Sequence, residues 1–385
     1  MKISISIVNV IVKLDTRPQR IDNTLDSRAI SRTHEGPASY ERFRMHRQRK
    51  LDHLHICLDE DPQFRNLTTG FDRYQFIHQA LPELNLDEID LSSELLGKTL
   101  DAPLVVSCMT GGIEEAERIN LNLATAAQQL GVAMGVGSVR AALVDPSLDR
   151  TYQVRRVAPD ILLLANLGAV QLNYECDVED CHRAVEMMEA DALVLHLNPL
   201  QECLQPEGNT DFGGLLKKIE QVCYQLPVPV VVKEVGWGIS DRVADMLQDA
   251  GVAAIEVAGA GGTSWSTVER HRAPDERADR IAEAFADWGI PTAESILMVR
   301  RAAPHLAVIG SGGIRTGLDV AKAIALGADA AGMATPLLRP ATLGAEEVVD
   351  RLEEVREALR ICMLCVAAGD LGTLKGTPLL RSIEQ

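Results

Sequence analysis

Past Pro103 the chain falls into a repeating pattern: a short, continuous apolar run, then a longer stretch in which apolar positions return at helical spacing. Eight such runs can be counted: Leu104 to Cys108, Val132 to Val136, Ile161 to Ala165, Ala192 to Leu197, Val228 to Lys233, Ala253 to Val257, Leu306 to Ile309 and Ala330 to Met333. They are unbroken rather than alternating, which is what parallel strands covered on both faces require. The stretches Ile119 to Leu130, Val178 to Ala190, Ile239 to Ala250 and Gly317 to Leu326 between them read as amphipathic helices. Strand and helix in turn predict an α/β fold, and eight strands predict a TIM (β/α)8 barrel. A doubly wound sheet would alternate in the same way, but no G-x-G-x-x-G opens the first strand-to-helix turn. Polar or glycine-rich motifs follow nearly every run, so the functional site is expected at the C-terminal ends of the strands.

Residues 1 to 48 depart from this pattern. After a short apolar start they are rich in Arg, Asp, Ser and Thr, with little periodicity, and read as an appended, poorly ordered N-terminal extension. The barrel domain is then expected over 49 to 385. Ser4, Ser6 and Asn9 interrupt the apolar start and no small-residue cleavage site follows it, which argues against a secretory signal. No run reaches the roughly 18 apolar residues that a membrane span needs, so no integration into a membrane is expected.

Composition narrows the picture. Hydrophobic residues make up 46% and charged residues 24% of 385 positions, enough for a large core in a globular protein. A formal charge of -17 repels nucleic acid and anionic lipid, so an anionic ligand must be met by a local basic cluster. Eight cysteines in so long a chain are too sparse for a disulfide scaffold and point to a reducing, cytoplasmic setting. Cys362 and Cys365 form a C-x-x-C inside a uniformly apolar run and read as core. Cys176 and Cys181 lack the second pair that a zinc site of that type uses.

The strand ends carry the chemistry. Ile309-Gly310-Ser311-Gly312-Gly313-Ile314-Arg315 and Gly332-Met333-Ala334 close the seventh and eighth runs, where many barrels hold a phosphate group on backbone N–H groups. Gly261-Gly262-Thr263-Ser264-Trp265 after the sixth run is suited to complete that cradle. Lys233 ends the fifth run, placed to stabilise an anionic reduced flavin ring, and Asn166 ends the third with the donor and acceptor that a ring edge needs. The densest group follows the fourth run: His196 and Asn198 face the same way in an extended segment, with Gln201 and Glu202 on the loop above. Glu202 can hold Mg2+ against substrate phosphates, since that ion needs only one or two protein oxygens. Positive charge stands ready in Arg49-Lys50-Leu51-Asp52-His53 and in Ser138-Val139-Arg140.

Taken in order, Arg49-Lys50 with His53, Met109-Thr110-Gly111-Gly112, Ser138 with Arg140, Asn166-Leu167-Gly168, His196-x-Asn198-x-x-Gln201-Glu202, Lys233-Glu234-Val235-Gly236, Gly261-Gly262-Thr263 and Gly312-Gly313 resemble the motifs of type 2 isopentenyl diphosphate isomerase. The resemblance runs from Arg49 to past Ala334. It implies an FMN-binding TIM barrel that interconverts isopentenyl and dimethylallyl diphosphate by a 1,3-allylic proton shift. Reduced FMN would serve as acid and base, Mg2+ would sit on the diphosphate, and NADPH or NADH would keep the flavin reduced. FMN contacts are then implied at Met109, Thr110, Gly111, Ser138, Asn166, Lys233, Thr263, Gly312, Gly313, Met333 and Ala334. Substrate contacts are implied at Arg49, Lys50, His53, Ser138, Arg140 and Gln201, with Glu202 on the metal. Gln201 is the candidate proton relay, grouped with His196 and Asn198 as catalytic. The chain departs from the family in having Val139 where glutamine is usual and in its first 44 residues, so a chain begun at Met45 is expected to be a complete isomerase. A homo-oligomer is expected, with no nucleic-acid or membrane partner. Two other readings are carried forward: an FMN-dependent 2-hydroxy acid oxidoreductase, which would want a His-Gly-Gly-Arg turn where Gly261 to Trp265 stands, and a non-catalytic flavin-binding protein.

Overall fold

The computed structural model describes the backbone of residues 37–383, with side chains from residue 47 on; what was expected of residues 1 to 36 lies outside the described residues. All eight apolar runs form strands. They are β1 (Leu104–Val106), β2 (Ala133–Gly135), β3 (Leu163–Gly168), β4 (Ala192–Leu197), β5 (Val230–Glu234), β6 (Ala254–Glu256), β7 (Ala307–Ser311) and β8 (Ala330–Met333). Each pairs in parallel with the next, and β8 returns to β1, so the sheet closes as a TIM barrel.

The strands' period of two sorts their side chains. Val105, Leu164, Val194, Val231, Ala254, Ile309 and Ala330 form one buried cluster inside the barrel, while neighbours such as Leu104, Val106, Leu163 and Val232 belong to the core under the helices. Two residues further along six of the eight strands the inward position turns polar, at Ser107, Asn166, His196, Lys233, Glu256 and Ser311, while β2 and β8 have Gly135 and Gly332 there. The hairpin formed by Ser93–Leu95 and Lys98–Leu100 adds Leu95 and Leu100 to the interior cluster. The barrel is thus apolar below and polar at its C-terminal mouth, which fixes where chemistry can occur.

The helices keep the expected places, with local capping to explain their limits. Helix α2 (Glu114–Leu130) opens on Glu114, Glu115 and Glu117, which complement its positive end, and stops at Gly131 with φ 61°. Helix α3 (Val178–Met188) starts at a capping box between Asp177 and Asp180. One expectation needs revising. Gln201 and Glu202 lie not on a loop but on a short helix, α4 (Pro199–Leu204), which Pro199 starts immediately after β4. Helix α1 spans Pro37–Asp59. All eight cysteines are free thiols. Cys362 and Cys365 fall at the end of a long helix, α5 (Ala345–Cys365), with Cys362 in the core. Among the described residues no helix is long and apolar enough to cross a membrane.

Candidate active site

A cavity of about 560 Å³ opens at the polar mouth. Its wall brings together Arg49, Lys50, His53, Met109, Thr110, Gly111, Ser138, Arg140, Asn166, His196, Asn198, Gln201, Glu202, Lys233, Thr263, Gly312, Gly313 and Ala334. Met333 is the exception: as the last residue of β8 its side chain points outward into the core, while Gly332 beside it faces the cavity.

One side of the cavity is made of backbone. A Cβ on Gly262 would lie 2.5 Å from the backbone nitrogen of Gly313, so the turns after β6 and β7 approach each other only because no side chain intervenes. Thr263 Oγ1 and Thr335 Oγ1 share a hydrogen bond of 2.7 Å at this end. Arg315 reaches Gln63, and Arg351 donates to the Arg315 carbonyl at 2.6 Å, so two guanidinium groups border the turns.

The floor is a buried charge network. Lys233 pairs with Glu256 Oε1 at 3.2 Å and donates to the Glu234 carbonyl at 3.0 Å, while Ser107 donates to Glu256 Oε1 at 2.6 Å. Glu256 is fully buried, and its Oε2 has no partner among the described residues. His196 Nδ1 meets Asn166 Oδ1 at 2.8 Å. Burial, with Lys233, Arg49 and Lys50 nearby, lowers the His196 imidazole to about 4, so the ring is neutral at physiological pH. Burial raises the Glu234 carboxyl to about 7, against three backbone N–H groups, from Val235, Gly236 and Trp237, that donate to its Oε2.

The opposite side is built from side chains. Asn198 Nδ2 donates to Gln201 Oε1 at 3.0 Å and to Glu202 Oε1 at 3.1 Å, and the Asn209 N–H donates to Glu202 Oε2 at 2.6 Å. Glu269, wholly buried, ties these groups to α1. Its Oε1 accepts from Gln201 Nε2 at 3.2 Å and lies 2.9 Å from His53 Nε2, and its Oε2 pairs with Arg272 at 2.7 Å. Burial pushes the Glu269 carboxyl up, but His53 and Arg272 outweigh it and hold the acid below its ordinary value. Arg272 continues to Glu207 at 2.9 Å, and the His53 ring stands edge-on to Trp265. Gln201 therefore has both ends of its amide fixed. Burial lowers the Arg49 guanidinium, which faces Glu202 and Glu207, and Arg140 pairs with Glu175 at 2.8 Å. The ammonium of Lys50 turns down between two loops and donates to protein oxygens.

Sequence reasoning missed Glu256, Glu269, Arg272 and Tyr152. Only Glu256 left a usable sign: an acid two positions after the inward Ala254 must point into the barrel.

The residues present fit a flavin mononucleotide. The glycine turns leave room that a Cβ would fill, the Lys233 ammonium and Asn166 amide border the floor, and the cavity is large enough for ring and phosphate. For a divalent cation the donor set is narrower. Among the described residues no group of three acidic, histidine or cysteine side chains could hold one, so Glu202 fits only an ion that takes its remaining oxygens from substrate and water.

A closed parallel barrel with this mouth defines the class: residues 43–151 and 200–380 match the FMN-dependent dehydrogenase family. Within it, the chain belongs to the isopentenyl-diphosphate delta-isomerase family, of the FMN-dependent type 2. It is 52% identical over 336 residues to isopentenyl-diphosphate delta-isomerase of Nostoc sp., covering 87% of this chain and 96% of the relative. It is also 54% identical over 336 residues to that of Stutzerimonas stutzeri, covering 86% and 96%. A flavocytochrome b2 variant with sulfite bound shares the fold at TM-score 0.61 and 19% identity, over 89% of this chain and 85% of that one.

Proposed function

We propose that the protein interconverts isopentenyl and dimethylallyl diphosphate by moving one proton onto the carbon skeleton and another off it, with no net transfer of electrons. The observation that supports this most directly is the Gln201-Glu202 pair, fixed between Asn198 and Glu269 at a wall that also carries Arg49 and Arg140. Neither Gln201 nor Glu202 is needed merely to hold a flavin. Bound FMN, kept reduced by NADPH or NADH, supplies ring nitrogens that can give and take a proton beside an alkene. Met109, Thr110, Gly111, Ser138 and Asn166 would border the ring, Lys233 its developing negative charge, and Thr263, Gly312, Gly313 and Ala334 the phosphate.

The chain's own residues do the rest. Arg49 and Arg140, with His53 and Ser138 beside them, bind the diphosphate, and Glu202 holds Mg2+ against it. Lys50 adds its positive charge from beneath. Binding at that remote end positions the alkene over the floor. Gln201, its amide held at both ends, relays a proton at Oε1 or Nε2. His196 is neutral, and so orients Asn166 and does not act as a cationic acid. The barrel domain, from residue 49 on, carries this chemistry; the protein works in the cytoplasm as a homo-oligomer. The 2-hydroxy acid reading draws no support from Gly261 to Trp265, a turn that carries neither His nor Arg. The test is a flavin spectrum of the purified protein followed by an anaerobic assay of isopentenyl diphosphate with Mg2+ and NADPH. Dimethylallyl diphosphate is the expected product, and a flavin-loaded protein that forms none refutes the proposal.

A further inference from the structure

Lys233 and Glu256 stand directly opposite each other in register on β5 and β6. Lys233 lines the cavity, and Glu256, with no exposed surface, lies behind it. The ammonium is 3.2 Å from Glu256 Oε1 and donates to the Glu234 carbonyl at 3.0 Å. Two partners for three N–H groups leave one N–H for the cavity. Ser107, just past β1, donates to the same Oε1 at 2.6 Å, although β7 and β8 lie between β6 and β1 in the barrel. That reach is open because the inward position of β8 is Gly332, where a Cβ would collide with Ser107 Oγ and lie 3.1 Å from Glu256 Oε1.

Glu256 carries its charge differently from its neighbour Glu234. Three backbone N–H groups donate to Glu234 Oε2, whereas Glu256 Oε2 accepts nothing among the described residues. In so buried a place the charge of Glu256 falls mainly on Lys233. The Cys108 thiol beside them feels both: burial raises it to about 12, Glu256 adds to the rise and Lys233 opposes it.

We propose that Glu256 is a positioning residue acting through Lys233: its buried carboxylate aims the ammonium at the flavin edge and offsets its charge, so that Lys233 serves the ring as a hydrogen-bond donor and not as an unopposed cation. An unopposed ammonium would favour negative charge on the ring at every stage. The reaction proposed above needs the reduced ring to take a proton back as readily as it gives one, and a balanced pair leaves it free to do both. This rests on the reading of the cavity as an FMN site and goes beyond it, because Glu256 does not itself line that cavity.

The probe is sulfite, whose lone pair adds to N5 of oxidised flavin and leaves a negative charge at N1 and the C2 carbonyl, so its affinity reads the charge beside that edge. The oxidised, FMN-loaded protein is titrated with sulfite by the bleaching of flavin absorbance, and its two-electron potential is measured against a reference dye. Glu256→Gln, which keeps the shape and removes the charge, should tighten sulfite at least tenfold and raise the potential by the same factor, about 30 mV. Glu256→Asp keeps the charge and should stay within threefold of the wild type. Ser107→Ala, which takes a competing donor away from Oε1, should loosen sulfite severalfold, and it decides the question alone if Glu256→Gln does not fold. Sulfite affinity unchanged in Glu256→Gln, tightened equally in Glu256→Asp, or unchanged or tightened in Ser107→Ala overturns the counter-charge. Wild-type protein that takes up no FMN overturns the flavin reading and the counter-charge with it.

Discussion

The two sides of the cavity are built on opposite principles. Around Gly262, Gly312 and Gly313 the wall is backbone brought close by the absence of side chains, and its ligand groups are N–H dipoles that do not titrate. Around Asn198, Gln201, Glu202 and Glu269 the wall is side chain on side chain, a local group after β4 joined by the Gln201–Glu269 hydrogen bond to an element far away in sequence. A backbone cradle suits a resident group that need only be held. A charged network suits a substrate that arrives, reacts and leaves, because its parts can answer to the ligand's charge. The same division predicts how each side fails.

The largest effect is expected at Glu202. Glu202→Gln keeps the shape but removes the carboxylate proposed to hold Mg2+, and several kcal/mol of charge stabilisation corresponds to roughly a thousandfold loss of turnover. Flavin content should be unchanged, and the Mg2+ titration of activity should flatten; activity with an intact titration would place the ion elsewhere. Next, Gln201→Leu should lower kcat by about a hundredfold, the lower end for a positioned proton-transfer group, and KM by little. Steady-state kinetics with a KM change alone would make Gln201 a binding residue. On the backbone side, Gly262→Ala should act through the cofactor alone. Its Cβ has backbone 2.5 Å away, and overpacking by about 1–3 kcal/mol should weaken FMN affinity by roughly ten- to hundredfold. Once the variant is saturated with FMN, its KM for isopentenyl diphosphate should match that of the wild type; a raised KM would show that the two sides are coupled there.

The legibility of the two sides differs for the same reason. Backbone architecture is written locally: continuous apolar runs announced β1 to β8, and clustered glycines announced the close-set turns after β6 and β7. The side-chain network is assembled in three dimensions. Nothing around Glu269 or Arg272 in the sequence says that they sit beneath Gln201 and His53, and Tyr152 meets Lys50 only because α1 carries the lysine to it. Strand parity accounts for Met333, whose neighbour Gly332 takes the inward position. It would also have found Glu256. Proline at the start of a helix accounts for α4, where a loop was expected above β4.

The smallest expected effect concerns pH. His196 is lowered to about 4, so between pH 7 and 5 the unfolded chain takes up a proton at this residue that the folded chain refuses. Stability should fall modestly over that range, and the ring nitrogen shifts of His196, followed by NMR, should not move. A titration near 6.5 would mean that the floor is more open to solvent than its burial implies.

The central claim is that this barrel transposes a proton and consumes no electrons. The most direct measurement runs the flavin-reduced protein anaerobically in deuterated water with isopentenyl diphosphate and Mg2+, counting deuterium in the product and NADPH oxidised. The account predicts dimethylallyl diphosphate carrying solvent deuterium at the newly protonated carbon, with many products formed per NADPH oxidised. One NADPH oxidised per product, or product free of deuterium, would contradict it.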